Sequence, residues 1–159
     1  MRTGYTYVVF GIGDELFAAG TDNVREVIRP PQLTQVPDSL PFLEGVIHIR
    51  GSILPLLNLR KRFKLPARTA TAADRVIIAE RDGRTLGLLV DSVSDVLRVR
   101  ETAIECPPGV VSAIGIQYIC GMLRLGERII LVVDMEKVLN IDSMLNPTES
   151  SSQGRQSAA

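Results

Sequence analysis

Tryptophan is absent from this chain, and four phenylalanines and three tyrosines are the only aromatics among 159 residues. So sparse a set leaves little material for the stacking platforms that grip single-stranded bases, and Val, Ile and Leu must carry the core. Cysteine is nearly absent as well. Cys106 and Cys120 lie outside any CxxC pair, and with the lone His48 they cannot complete a Cys/His zinc cluster. No metal and no cofactor are expected, and both thiols read as buried and inert. An excess of one charge is also missing, because 18 Lys and Arg balance 18 Asp and Glu. No global field therefore draws the chain to nucleic acid or to an anionic membrane. No apolar run approaches about 18 residues, so no membrane insertion is expected. The opening Met1-Arg2-Thr3-Gly4 runs straight into a strand-like stretch without the features of a signal peptide. The expected location is cytoplasmic, with reduced thiols.

What is present is a core-forming composition, 45% hydrophobic, in a chain long enough to bury roughly 70% of the surface its unfolded form exposes. Alternation marks the first half: Tyr5, Tyr7 and Val9 oppose Thr6, Val8 and Phe10, and Gly11, Gly13 and Asp14 supply a turn before Leu16 to Ala19. A hairpin is expected there. A second joins Val76–Ala79 to Leu86–Val90 through Arg81-Asp82-Gly83-Arg84, where Asp-Gly suits the positive φ angles of a type I′ turn. After each hairpin comes a segment with apolar residues at helical spacing: Val24, Val27 and Ile28 within 21–29, and Val93, Val96 and Leu97 within 91–98. Each is expected to form about two helical turns, the first ended by Pro30-Pro31. Pro55 argues for an edge or a bulge in the strand around it.

The most informative feature is internal repetition. At an offset of 69, residues 22–29 fall on residues 91–98 with four identities in eight positions (Asp, Val, Val, Arg). At an offset of 76, residues 42–47 fall on 118–123 and Ile53 to Lys61 on Ile129 to Lys137. The difference is a seven-residue insertion between Arg98 and Tyr118. The chain thus reads as two copies of one small strand-rich unit, and a sheet that short hides its edges most economically by closing. The expected fold is mainly β: two tandem small five-stranded β-barrels related by internal duplication, with short helices. The first barrel spans about 14–66 and the second about 76–133, within one domain over 1–145 that allows strand exchange at the ends. Residues 134–139 allow a helical turn. Residues 146–159, Ser-rich and poor in apolar residues, are expected to be a disordered tail.

No catalytic constellation stands out. Gly11-Ile12-Gly13 lacks the third glycine and the long helix of a dinucleotide fingerprint, and Ser112 lacks nucleophile-elbow spacing. His48 reads as a hydrogen-bonded structural residue. Arg60-Lys61-Arg62-Phe63-Lys64, with Arg68, is the one basic cluster, and it supports the rival reading of a small nucleic-acid-binding barrel. A short basic run at a strand end is more often a solvated face. Glu26 and Arg50 each lie in apolar surroundings, and buried charges persist only when paired. An ion pair between them is therefore expected, with unpaired, solvent-exposed side chains as the alternative.

Taken in order, YVVFGIGDELFAA, VREVIRP, VPDSLPFLEGVIHIRGSILPLLNLRKRF, GLLVDSVSDVL, AIECPPG and YICGMLRLGERIILVVDMEKVL resemble the CheW family, the adaptors of bacterial chemosensory arrays. The resemblance covers about Tyr5 to Asn140. It departs at Asn58, where the family usually has Asp. It implies a non-enzymatic adaptor of two five-stranded barrels that couples transmembrane chemoreceptors to a CheA-type histidine kinase. The receptor's cytoplasmic tip would lie in a groove at Val24, Val27, Gly45, Gly87, Val93 and Val96, with Glu26 and Arg50 supporting its walls. The kinase's regulatory domain would dock on the barrel ends.

Overall fold

The computed structural model describes residues 4–37, 41–66, 68–105 and 118–139. The expected 146–159 tail, Cys106 with Pro107-Pro108, and Ser112 lie outside them. Strands dominate: β1 (Gly4–Ile12), β2 (Glu15–Gly20), β3 (Val24–Ile28), β4 (Leu33–Thr34), β5 (Leu43–Ile49), β6 (Ser52–Asn58), β7 (Arg75–Arg81), β8 (Arg84–Val90), β9 (Ser92–Arg100), β10 (Ile119–Leu125) and β11 (Arg128–Val133). Two short helices, α1 (Leu59–Arg62) and α2 (Met135–Leu139), follow β6 and β11. Both predicted hairpins form, and Asp82 and Gly83 take φ of 54° and 79°, as a type I′ turn requires.

The strands make two sheets, ordered β10-β11-β2-β1-β9 and β3-β7-β8-β6-β5-β4. The repeat maps one order onto the other: β10, β11, β2, β1 and β9 correspond to β5, β6, β8, β7 and β3. Each copy therefore lends its hairpin to the other copy's sheet, and neither sheet is a contiguous stretch of chain. The one parallel pair of each sheet joins lent to resident strands in the same register, Val132 beside Ala18 and Leu56 beside Gly87. Even the irregularities correspond. A bulge lies at Arg25 in β3 and at Ser94 in β9, and another at Glu44 in β5 and at Cys120 in β10.

Both sheets curl. Ile28 and Leu33, on opposite edges of one sheet, are five residues apart, a reach of about 17 Å. Flat, those edges would stand about 24 Å apart. Arg100 and Glu105, which bridges to Met122, make the same short crossing in the other sheet. Among the described residues, no ladder joins β9 to β10 or β3 to β4.

The two segments expected to be helical are instead a single 3-10 turn (Thr21–Asn23) leading into β3, and the strand β9. The bulges explain why their spacing imitates a helix. An extra residue at position 25 puts Val24 and Val27 on one side, opposite Ala79 and Ile77, and Glu26 and Ile28 on the other, opposite Ile78 and Val76. Val93 and Val96 share a side in β9 for the same reason. Pro55 is likewise not on an edge strand, since β6 lies between β8 and β5. The parallel ladder to β8 begins only at Leu56, one residue past the proline, so no bond to β8 is lost.

The scarce aromatics concentrate where the sheets meet. Phe10, Phe17, Phe63 and Tyr118 form a chain of rings with centroids 5.4–5.6 Å apart. They belong to a core built from β1 and β2 of one sheet, β7 and β8 of the other, and both helices. Smaller cores fill each curl: Tyr7, Val9 and Ile130 in one, Ile47, Leu56 and Ile78 in the other.

Candidate partner-binding site

The expected groove residues fall into three groups. Val24 and Val93 pack against the inter-sheet core. Val27 and Val96, one bulge-corrected step further along the same outer faces, are 36% and 65% exposed. Gly45 and Gly87 are buried and have structural reasons to be glycine. A Cβ at Gly45, whose φ is 151°, would come within 2.2 Å of the Thr34 carbonyl oxygen, and one at Gly87 within 2.9–3.3 Å of Val76, Leu56 and Ile47 side chains. β4 lies too close to β5, and the sheet's own core too close to β8, for any side chain at these two positions.

Glu26 and Arg50 are brought together as an ion pair. Arg50, however, lies outside the strand. With Gly51 it forms the two-residue turn between β5 and β6, both at positive φ (46° and 83°). Its side chain is 68% exposed, so the pair ties the turn to β3 at the surface and contributes little to stability. The pair borders a cleft of about 200 Å3 whose walls include Arg25, Ser52 and Thr85 and whose apolar lining is Ile49, Leu54 and Ile78. Nearby Ile53 is 62% exposed, and Ile129, its counterpart in the repeat, is 51% exposed. Each sheet thus carries one uncovered isoleucine at the start of an equivalent strand.

Four of the five basic residues in the cluster, all but the exposed Lys64, are engaged internally. Arg62 is only 4% exposed. It donates to the Tyr118 hydroxyl (2.8 Å) and to the carbonyls of Lys137 (3.1 Å) and Val138 (3.5 Å), and its guanidinium lies over the rings of Phe42 and Tyr118. Burial pulls its pKa below the usual arginine value, against the opposing pull of Tyr118. Arg60 bonds Asp91 at 2.6 Å and the Pro66 carbonyl at 2.6 Å. Arg68 reaches Asp74 at 3.0 Å and Asp91 at 3.4 Å, and Lys61 reaches Glu44 at 3.5 Å. The Gly13 amide also donates to Asp91 at 2.7 Å. Burial alone would raise the Asp91 carboxyl, but Arg60, the Gly13 amide and Arg68 outweigh it and hold the pKa below the ordinary value. Asp91 thereby ties the β1–β2 turn, α1 and the end of β8 together.

Asn58 has a defined role. Its side-chain oxygen caps α1 by accepting from the Lys61 amide (3.1 Å), and its amide donates to Glu44 (2.6 Å). Its counterpart Asp134 caps α2 through the Lys137 amide (3.3 Å). Two of the sequence expectations need correction. His48 is exposed on the solvent face of β5 rather than a hydrogen-bonded structural residue. Cys120 is exposed at its bulge rather than buried, and partial burial, then the Asp134 charge, push its thiol pKa up, which makes it a poor nucleophile. Among the described residues no group of His, Cys, Asp and Glu is placed to hold a metal, and no helix is long and apolar enough to cross a membrane.

Sequence reasoning missed the internal bonds of Arg60 and the inter-sheet tie of Arg62. The repeat carried a signal for the second, since Arg62 falls on Val138, a fully buried position. Residues 6–143 match the CheW-like domain family. The chain is 30% identical to the chemotaxis protein CheW of Treponema pallidum, covering 86% of this chain and 82% of the relative. It is also 30% identical to that of Bacillus subtilis, covering 90% and 92%. Its fold is similar to the crystal structure of the scaffolding protein TtCheW from Thermoanaerobacter tengcongensis, with a TM-score of 0.76 and 33% identity over 82% of this chain and 88% of that one.

Proposed function

Because the chain belongs to the CheW-like domain family, we propose that it is a non-enzymatic scaffold of a bacterial chemosensory array, coupling chemoreceptors to a CheA-type histidine kinase in the cytoplasm. The observation that carries this reading is the match to chemotaxis proteins and to a scaffolding protein across both repeats, inter-sheet core included. Val27 and Val96 supply exposed apolar anchors on equivalent edge strands, suited to the apolar face of a receptor's helical tip. Glu26 and Arg50 frame the cleft beside the first of these strands. Ile53 and Ile129 give each sheet an uncovered apolar end against which the kinase's regulatory domain docks. The adaptor would transmit a receptor state by differential contacts, with no chemistry of its own.

Nucleic-acid binding, the rival reading, loses its main support, since Arg60, Lys61, Arg62 and Arg68 are all engaged within the protein. Val27→Asp and Val96→Asp are expected to weaken calorimetric binding of a receptor-tip fragment at least tenfold while leaving the far-ultraviolet circular dichroism spectrum native. Unchanged affinity in both variants would remove the edge strands from the receptor site.

A further inference from the structure

Three charged residues are the same in both copies of the repeat: Asp22 and Asp91, Arg29 and Arg98, Lys61 and Lys137. Other charges change freely between the copies, as Arg60 does to Glu136 and Arg50 to Gly126. Asp22 and Asp91 are both engaged within the protein, and Lys61 reaches Glu44. Arg29 and Arg98 differ from these. Both are exposed, and neither makes an ion pair or a side-chain hydrogen bond among the described residues. Their places are equivalent as well. Arg98 shares a side of β9 with the exposed Val96, beside Thr6 and Val8 of β1, and Arg29 stands one residue past the end of β3, two beyond the exposed Val27. Glu26 and Asp95, the acids of these two strands, lie on the opposite side from the valines. Each edge strand thus offers an apolar anchor and, two residues on, an unpaired guanidinium.

We propose that Arg29 and Arg98 are specificity-determining contacts, each pairing with a carboxylate that a helical partner presents one turn from its own apolar anchor. The inference rests on the reading that β3 and β9 receive the receptor's helical tip, and it names the chemistry that tip must carry. Two residues of strand span about 6.6 Å, close to the 5–6 Å, roughly, between side chains four apart on a helix. A helix face with an apolar residue and an acid at that spacing therefore matches both groups of a strand at once. Arginine suits the task, since its planar fork bonds a carboxylate through two parallel hydrogen bonds. The valine beside it helps exclude water from the pair.

The test is calorimetric titration of the full chain with the cytoplasmic-tip fragment of a chemoreceptor encoded in the same genome. Arg29→Gln and Arg98→Gln should each weaken binding about threefold to fivefold and the double variant about tenfold, with urea midpoints unchanged because both side chains are exposed. Lys64→Gln removes an equally exposed cation away from these strands and should leave the affinity as it is. Wild-type affinity in both arginine variants, with binding still weakened by Val27→Asp, would overturn the arginine contacts and leave the docking of the tip standing. An equal loss in Lys64→Gln would also overturn them, since the effect would then belong to net charge. Absence of binding by the unaltered chain would remove the contacts and the docking together.

Discussion

The two sheets share a backbone plan down to the position of each bulge, yet their chemistry differs at corresponding places. One half closes its helix end with Arg60, Arg68 and Asp91, caps α1 with Asn58, and turns β5 into β6 through Arg50. The other has Glu136, Asp134 and Gly126 at the positions of Arg60, Asn58 and Arg50. Bulges and close glycine contacts recur because strand pairing demands them in both copies. Charge and turn residues diverge because the fold tolerates either choice. Where the halves differ, the side chain still serves the fold of its own half, as Arg60 does by bonding Asp91 and Asn58 by capping α1.

The glycine pair Gly45 and Gly121 gives the largest expected effect. A Cβ at Gly45 would meet backbone, the Thr34 oxygen at 2.2 Å, with φ at 151°, whereas one at Gly121 would meet the movable Ile104 methyl at 2.7 Å. Gly45→Ala should destabilise by about 3 kcal/mol and Gly121→Ala by about half that, read from urea midpoints. Equal losses would mean that the two edges are packed alike. It follows that a charged substitution at Gly45 disturbs the fold as well as any binding.

Asp91→Asn should remove about 2 kcal/mol at neutral pH, the scale of charge-assisted hydrogen bonds. Asp91 is held below its ordinary pKa in the folded state. Its contribution is therefore complete above the unfolded value of about 3.9 and is lost as pH falls through the folded value. The gap in melting temperature between wild type and variant should narrow on the acid side of pH 4, and a gap that stays constant there would contradict the assignment.

Asn58→Asp makes the first half resemble the second and keeps the cap, but sets a carboxylate against Glu44 where a 2.6 Å hydrogen bond stood. A loss of about 1–2 kcal/mol at pH 7 is expected. The urea midpoint at pH 7 reads this loss, and an unchanged midpoint would show that the hydrogen bond to Glu44 contributes nothing.

The smallest effect belongs to Arg50→Gly, which copies Gly126 and relieves an arginine at φ 46°. Stability should rise by about 0.5 kcal/mol, while receptor-tip binding falls. A lower melting temperature would show that the ion pair with Glu26 outweighs the strain.

Much of this was legible in the chain itself. Asp82-Gly83 announced its turn, the offsets of 69 and 76 announced the duplication, and Asp134 to Leu139 announced a helical turn. Glu26 and Arg50 do meet, but at the surface, since Arg50 lies in a turn that an apolar run on either side of it conceals. Residues 21–29 and 91–98 misled because a bulged strand and a helix both set apolar residues three apart, and only the cross-strand register separates them. Burial of Arg62 was hidden in a run of basic residues, since nothing local says that Phe42 and Tyr118 will close over it. The hairpin exchange is a long-range pairing that leaves no mark on local periodicity.

The central claim, that this duplicated scaffold joins a kinase to its receptors, is tested most directly by calorimetric titration. The full chain would be titrated with the regulatory domain of each CheA-type kinase encoded in the same genome. The account predicts micromolar binding to one of them, weakened when Ile53 or Ile129 is replaced by Asp. Absence of heat with every such domain would contradict it.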